Sequence, residues 1–198
     1  PSNSAATHTQ LSSDLLKDID VAIDFSTRTE TINNIKICLE SGTNLIMGTT
    51  GWQDQIEEVK ILVAGGSIGF LHSANFAIGV NVYMKIVEAA AKLMDRFDEY
   101  DIWGHEIHHF NKADSPSGTA KSLAKILLAN IHRKTKVVDE KLDRKRLPEE
   151  IHFSSVRGGA VNFAHTIGFD SEADTITITH SARNRDGYAL GAVKAAEW

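Results

Sequence analysis

The stretch from His105 to Ala120 reads HEIHHFNKADSPSGTA and gathers most of the acid-base and anion-binding chemistry of the chain. Histidine is the side chain that titrates nearest neutrality, so the adjacent His108 and His109 suit general acid or base work. Lys112 adds a mobile positive charge and a proton donor a few residues on, with Asp114 just beyond it. The run Ser115-Pro116-Ser117-Gly118-Thr119 then opens a helix. Its existence follows from spacing, because Ala120, Leu123, Ala124, Leu127 and Ile131 recur every three or four residues and fall on one face. Pro116 disfavours helical dihedrals at Ser115, so the chain arrives extended and Ser117 is the expected N-cap. The unpaired N–H groups of Ser117, Gly118 and Thr119 would then point outward at the positive end of the helix dipole, where Gly118 lets an anion approach the backbone. The expectation is a seat for a carboxylate or a phosphate.

These groups need an element to aim them. Tyr100–Ile107 carries aromatic and β-branched residues without a helical period and reads as a strand. Neighbouring side chains on a strand face opposite ways, so His108 and His109 share a ligand only if the strand ends there, an ending that Asn111 onward supplies. The same letters also fit the H-E-x-x-H pattern of zinc hydrolases, through His105, Glu106 and His109. That motif requires a helix bringing both histidines to one face. Gly104 before it and Asn111–Pro116 after it deny one, and Lys112 would set a positive charge beside the metal. No metal is therefore expected. A strand, a polar loop and a capped helix with solvated histidines would account for any one of these residues, but poorly for the whole set.

The 198 residues are 42% hydrophobic, enough to bury one good core or two modest ones. A net charge of -5 gives no electrostatic footprint for nucleic acid, and no apolar run approaches membrane-spanning length, so neither partner is expected. The single cysteine, Cys38, lies in the helical pattern Ile32, Ile35, Cys38, Leu39 and reads as a small buried residue. It fits a reducing, cytoplasmic setting.

In order along the chain, Pro1–Ser13 is polar and aperiodic and reads as a loop or flexible end. Val21–Phe25 reads as a strand, Thr29–Ser41 as a helix stopped by Gly42, and Asn44–Met47 as a second strand, a β-α-β unit. The second strand runs into Gly48-Thr49-Thr50-Gly51 at the carboxyl end of a parallel strand, where open α/β sheets bind nucleotides. A helix over Gln53–Val63 and a strand over Ile68–Leu71 continue the alternation, and Asn81–Phe97 reads as a long helix. A domain hinge is placed near Ile78. Arg133–Glu150, with the basic cluster Arg144-Lys145-Arg146 among acidic residues, reads as a solvated connecting loop. Ile151–Arg157, Ala160–Gly168 and Thr175–His180 read as strands of a mixed or antiparallel sheet, the last with one face buried and one not. Ala189–Trp198 starts a helix.

The segment HHFNKADSPSGTA closely resembles the HHxxKxDxPSGTA signature of the dihydrodipicolinate reductase family. VAIDFS, MGTTGW, SANFAIGVN, SVRGGAVNFAHTIGF and THSARNRDGYALGAVKAAEW follow that family's order and approximate spacing, so the resemblance covers nearly the whole chain. It implies an α/β protein with an incomplete Rossmann-like nucleotide-binding domain over residues 1–77 and an α+β substrate-binding and oligomerisation domain with a mixed sheet over 78–183. Residues 184–198 would return to the nucleotide-binding domain. The implied reaction is the NADH- or NADPH-dependent reduction of 4-hydroxy-tetrahydrodipicolinate, a cyclic imino dicarboxylate on the route to diaminopimelate and lysine. The implied assembly is a cytoplasmic homotetramer. By the resemblance His108 is the general acid/base and Lys112 the proton donor, while His109, Ser117, Gly118 and Thr119 form the substrate site. Gly48, Thr49, Thr50, Ser73, Ala74, Asn75 and Phe76 are the cofactor contacts. Arg185 is a candidate hinge residue and Tyr188 a candidate neighbour of the nicotinamide. The family's glycine-rich strand-turn-helix, its adenosine-ribose contacts and its final segment are not among these residues, so the chain reads as a piece and is expected to hold the cofactor weakly. A zinc hydrolase and a non-catalytic dicarboxylate-binding module are the alternatives.

Overall fold

The computed structural model describes His8 and residues 10–198; most of the expected N-terminal loop therefore lies outside the described residues. The chain divides into two compact units, Pro1–Ala77 with Tyr188–Trp198, and Ile78–Gly187.

The first unit is built on a parallel three-stranded sheet in the order β1 (Val21–Asp24), β2 (Asn44–Met47), β3 (Phe70–His72). Helix α1 (Thr31–Ser41) joins the first two strands and α2 (Ile56–Ala64) precedes the third. Gly42 stops α1 in the left-handed conformation, φ 73°, which only glycine adopts without penalty. Alternation along β2 sorts its side chains. Leu45 and Met47 pack with Ile35 and Cys38 of α1, Val59 of α2, and Trp52, whereas Ile46 meets Phe76 and Ala192 of α5 (Asp186–Glu197). Cys38 is buried and its thiol is pushed up to about 11 by burial and by the charge of Asp24, so it is a packing residue. The third strand begins at Phe70, later than the sequence pattern places it; Gly69 just before it donates its N–H to the Asn44 side chain rather than to a backbone carbonyl.

The second unit is a mixed five-stranded sheet ordered β5 (Lys136–Val138), β6 (Glu150–Arg157), β4 (Asp101–His108), β7 (Phe163–Asp170), β8 (Thr175–Ala182). Helices α3 (Ile78–Met94) and α4 (Gly118–Asn130) share one core with Ile102, Ile151, Phe153, Ile167 and Phe169 of the sheet. Strand β4 is central and alternates strictly, with Ile102, Gly104, Glu106 and His108 buried. Gly104 is required there, since a Cβ would lie 2.5 Å from the buried Phe153 ring.

Two expectations are corrected. Arg133–Glu150 is not simply a solvated loop: it contains β5, Lys134 is buried on Asp101 at 2.7 Å, and Arg144 grips Glu150 through two bonds of 2.9 and 2.7 Å. Lys134 and Arg146 both reach across the fold to Asp101 of β4, which a count of interleaved signs does not reveal. In β8 no residue is fully buried; as the edge strand it has a half-buried face, Ile178 among it, and an exposed one.

Candidate active site

Helix α4 begins where the sequence requires. Ser117 has extended dihedrals (φ -68°, ψ 162°) and its Oγ accepts from the N–H of Ala120 at 3.1 Å. The preceding Ser115–Pro116 peptide is cis. Strand β4 ends at His108, so the sheet fixes the direction of that side chain and His109 starts the loop. The putting of His105 and Glu106 on a strand sends them to opposite faces, and the H-E-x-x-H reading falls with the helix it needs.

Glu106 is the centre of the cluster. It is wholly buried, and its Oε1 accepts from the Ser117 N–H, the Ser155 hydroxyl and Arg157 Nη2, each at 2.9 Å. Its Oε2 accepts from the Ser117 hydroxyl and faces the Nε2 atoms of His108 and His165, both at 3.1 Å. Sheet register explains the gathering. Ser155, Glu106, His165 and His180 are successive neighbours across β6, β4, β7 and β8, and Arg157, His108 and Phe163 form the next row on the same face. Burial alone would raise the Glu106 pKa, but the donors from His165, Ser117 and Arg157 outweigh it and hold the carboxyl far below the ordinary carboxylate range. The group is an anion at any working pH.

His108 stacks on Phe163 with centroids 5.8 Å apart and meets the His165 ring edge-on at 5.3 Å. Its pKa is lowered, chiefly by burial; Glu106 opposes the shift, while His165 and Lys112 add to it. The imidazole is thus neutral near pH 7. Lys112 comes close enough to act on His108 through its charge, and its ammonium donates to Asp114 at 2.6 Å, lowering that carboxyl. Arg157 Nη2 also donates to the Asp114 carbonyl at 2.6 Å, so one guanidinium pins both Glu106 and the lysine-bearing loop. The loop is held further by the Gly158 and Phe110 N–H groups, which donate to His108 O and Gly159 O.

The structure therefore brings His108, Lys112 and the start of α4 together around Glu106, with His109 opening the loop between them and Gly118 and Thr119 as the first residues of the helix, and gives Ser117 a different place from the open seat. Ser117 is 3% exposed, with N–H and hydroxyl both turned onto Glu106. Gly118 and Thr119, as the first N–H groups of α4, have no partner within the helix, and a Cβ on Gly118 would meet nothing within 4 Å. Sequence reasoning gave no role to Arg157, Ser155 and His165, and saw Glu106 only as part of a metal motif. The available signal was a charged residue in the buried phase of an alternating strand, which demands partners.

Glu106, His108 and His165 also present three donor atoms within 4.8 Å of one another, a set able to hold a metal ion. A metal would take the Nε2 lone pairs and force the protons onto Nδ1. His165 Nδ1 is buried without a partner, so that proton would be stranded. The set fits a hydrogen-bonded hub better than a metal centre.

In the first unit the carboxyl ends of β1, β2 and β3 carry the other expected residues. Asp24 accepts from the Ser26 N–H, the Thr49 hydroxyl and Asn34 Nδ2, each at 2.7 Å; burial works against its ionisation, but these donors leave its pKa lowered. Gly48 continues the sheet through a 2.8 Å bond to Asp24 O and lies so close under the Phe25 ring that a Cβ would overlap it. Thr49 is buried on Asp24, whereas Thr50 is exposed. The Ser73 hydroxyl donates to Asn75 O and the Asn75 side chain accepts from Ala77, so this turn is held by its own side chains. Ala74 is exposed, and Phe76 is buried against Ile46 and edge-on to Phe25. Parallel strand ends and a 53% exposed Phe25 ring lying over Gly48 fit a nicotinamide dinucleotide. Asp24, overlooked in the sequence, is what shapes the loop.

Among known proteins, residues 2–76 match the family described as "Dihydrodipicolinate reductase, N-terminus" and residues 79–198 match "Dihydrodipicolinate reductase, C-terminus". A 4-hydroxy-tetrahydrodipicolinate reductase of Christiangramia forsetii is 38% identical over 181 residues, covering 91% of this chain and 74% of the relative. One of Acinetobacter baumannii strain AYE is 37% identical over 189 residues, covering 93% and 68%. The solved structure of a dipicolinate-bound dihydrodipicolinate reductase from Paenisporosarcina sp. TG-14 aligns with a TM-score of 0.73 at 27% identity, over 93% of this chain and 71% of that one.

Proposed function

Because the chain belongs to the dihydrodipicolinate reductase family, and is thereby a pyridine-nucleotide-dependent reductase of diaminopimelate and lysine biosynthesis, we propose how its residues divide the work. The substrate is 4-hydroxy-tetrahydrodipicolinate. In going to tetrahydrodipicolinate it gains a hydride and a proton and loses water. NADH or NADPH supplies the hydride when bound at the carboxyl edge of the first unit's sheet, where Gly48, Thr49, Thr50, Ser73, Ala74, Asn75 and Phe76 form and flank the loops. Preference between NADH and NADPH belongs to contacts with the adenosine ribose, where the two cofactors differ by a phosphate, rather than to these loops.

In the second unit Gly118 and Thr119 take a substrate carboxylate on their backbone N–H groups, with His109 beside them, and Lys112 adds charge and supplies the proton. His108 serves as the acid/base, and Ser117 supports the seat from behind. The observation that carries this reading is that one buried carboxylate, Glu106, holds both His108 and the first residue ahead of α4. A base and an anion seat fixed to one anchor keep their spacing, which is what a positioned proton transfer needs. We place the second unit at the subunit contacts of a homotetramer, a reading that the half-exposed edge strand β8 with its 45% exposed Ile176 supports, and we place the enzyme in the cytoplasm. Among the described residues no helix is long and apolar enough to cross a membrane.

The test is turnover, followed as oxidation of the reduced cofactor in the presence of substrate. His108→Ala and Lys112→Ala should each lower kcat by about two to four orders of magnitude with the fold intact by circular dichroism. Near-normal turnover in Lys112→Ala overturns its assignment as proton donor.

A further inference from the structure

We propose that Glu106 is a positioning residue for the reaction: its Oε2 fixes His108 in the Nε2–H tautomer, so that Nδ1 is the nitrogen exchanging the proton, while its Oε1 holds the start of α4. This rests on the assignment of His108 as the acid/base.

The two carboxylate oxygens do separate jobs. Oε1 is saturated by three donors that carry no tautomer, the Ser117 N–H, the Ser155 hydroxyl and the Arg157 guanidinium. Oε2 faces both imidazoles. An ionised carboxylate only accepts, so each Nε2 within reach must carry the hydrogen; a lone pair there would oppose a lone pair. His165 agrees independently, because its Nδ1 is buried with no partner and a proton on it would be left unpaired. His108 differs from His165 in one respect. Its Nδ1 makes no hydrogen bond among the described residues, yet it is not one of the buried, unpaired atoms. With Nε2 engaged, the reactive lone pair of His108 points away from the carboxylate. Phe163 stacked on the ring at 5.8 Å and His165 set T-shaped against it at 5.3 Å pack the imidazole on two sides in the orientation that turns Nε2 to the carboxylate.

The geometry also dictates what an isosteric change does. In Glu106→Gln the amide oxygen stays where three donors converge, at the Oε1 position, and the NH2 group takes the Oε2 position. That group donates, so the facing Nε2 atoms must become acceptors and both protons move to Nδ1. The seat at α4 keeps its Ser117 N–H bond to the retained oxygen. Chemistry fails while binding survives, as when a triad aspartate is replaced by asparagine.

Nitrogen-15 NMR of the intact protein reads the tautomer directly. The expected result is a pyrrole-type Nε2 and a pyridine-type Nδ1 for His108, assigned by their loss in His108→Ala; an Nδ1–H tautomer in the unmodified protein overturns the proposal. In Glu106→Gln the pattern should reverse, with kcat down about 10²- to 10⁴-fold and KM for the dicarboxylate substrate changed less than about threefold. Glu106→Asp, which keeps the charge but withdraws it by one methylene, should restore the Nε2–H signature in part. If Glu106→Gln does not fold, the tautomer of the unmodified protein decides alone. Normal kcat in Glu106→Gln beside an inactive His108→Ala overturns the role of Glu106 only, whereas normal turnover in His108→Ala overturns the assignment beneath it.

Discussion

At the scale of single residues, the proposed anion seat depends on two positions with different sensitivities. A Cβ on Gly118 finds open space, and its φ is not in the left-handed region, so Gly118→Val should fold. The branched side chain would then occupy the space an incoming carboxylate needs. Thr119→Ala leaves the backbone donor in place and should cost only the hydroxyl's contribution, about 0.5 to 1.5 kcal/mol. Calorimetric titration with pyridine-2,6-dicarboxylate is expected to rank Gly118→Val well below Thr119→Ala; equal affinity in Gly118→Val and the parent would place the seat elsewhere. The residues aimed at solvent or ligand were readable from type and spacing, His108, Lys112 and Gly118 among them. Those behind them were not. Ser117 was legible as a cap, but not that its N–H turns back onto Glu106, because that bond joins residues eleven apart through strand geometry.

At the scale of elements, β4 can carry the proposed chemistry because it is the middle strand and its neighbours make room for it. Gly104 lies under Phe153 and Gly168 under Trp103, so both flanks depend on a missing Cβ. Gly104→Ala should therefore force a fully buried ring aside and destabilise the protein by about 1 to 3 kcal/mol, seen as a lower urea midpoint with little change in slope. An unchanged midpoint would mean that the aromatic layer is looser than its burial implies. Long periodic elements such as α3 and α4, and the alternating β4, were visible in the sequence to within a few residues. The three-residue β5 was not, since so short a strand has no period of its own and exists through its pairing with β6.

At the scale of the whole molecule, acid should act on both units. Asp24 in the first, and Glu106, His108 and His180 in the second, all have lowered pKa values. Each then binds its proton more readily when unfolded, so its stabilisation is present above the unfolded pKa and is lost as pH falls through the folded one. The histidine share starts to go below 6.5, and the carboxylate share below 4.5 for Glu106 and 3.8 for Asp24. Melting temperature should be level from about pH 7 to 8 and decline on acidification in two stages; a rise between about pH 7 and 5 would contradict this. The division into two units carries a consequence for biosynthesis. Ile78–Gly187 is one uninterrupted run, whereas the first unit is closed by Tyr188–Trp198, where Gly191 of α5 abuts the Phe76 carbonyl and Ala192 covers Ile46. On the ribosome the histidine-bearing unit has all its chain before α5 emerges. Until then the nascent protein carries Ile46 and Phe76 without the helix that covers them, a patch for a chaperone to hold or a protease to find.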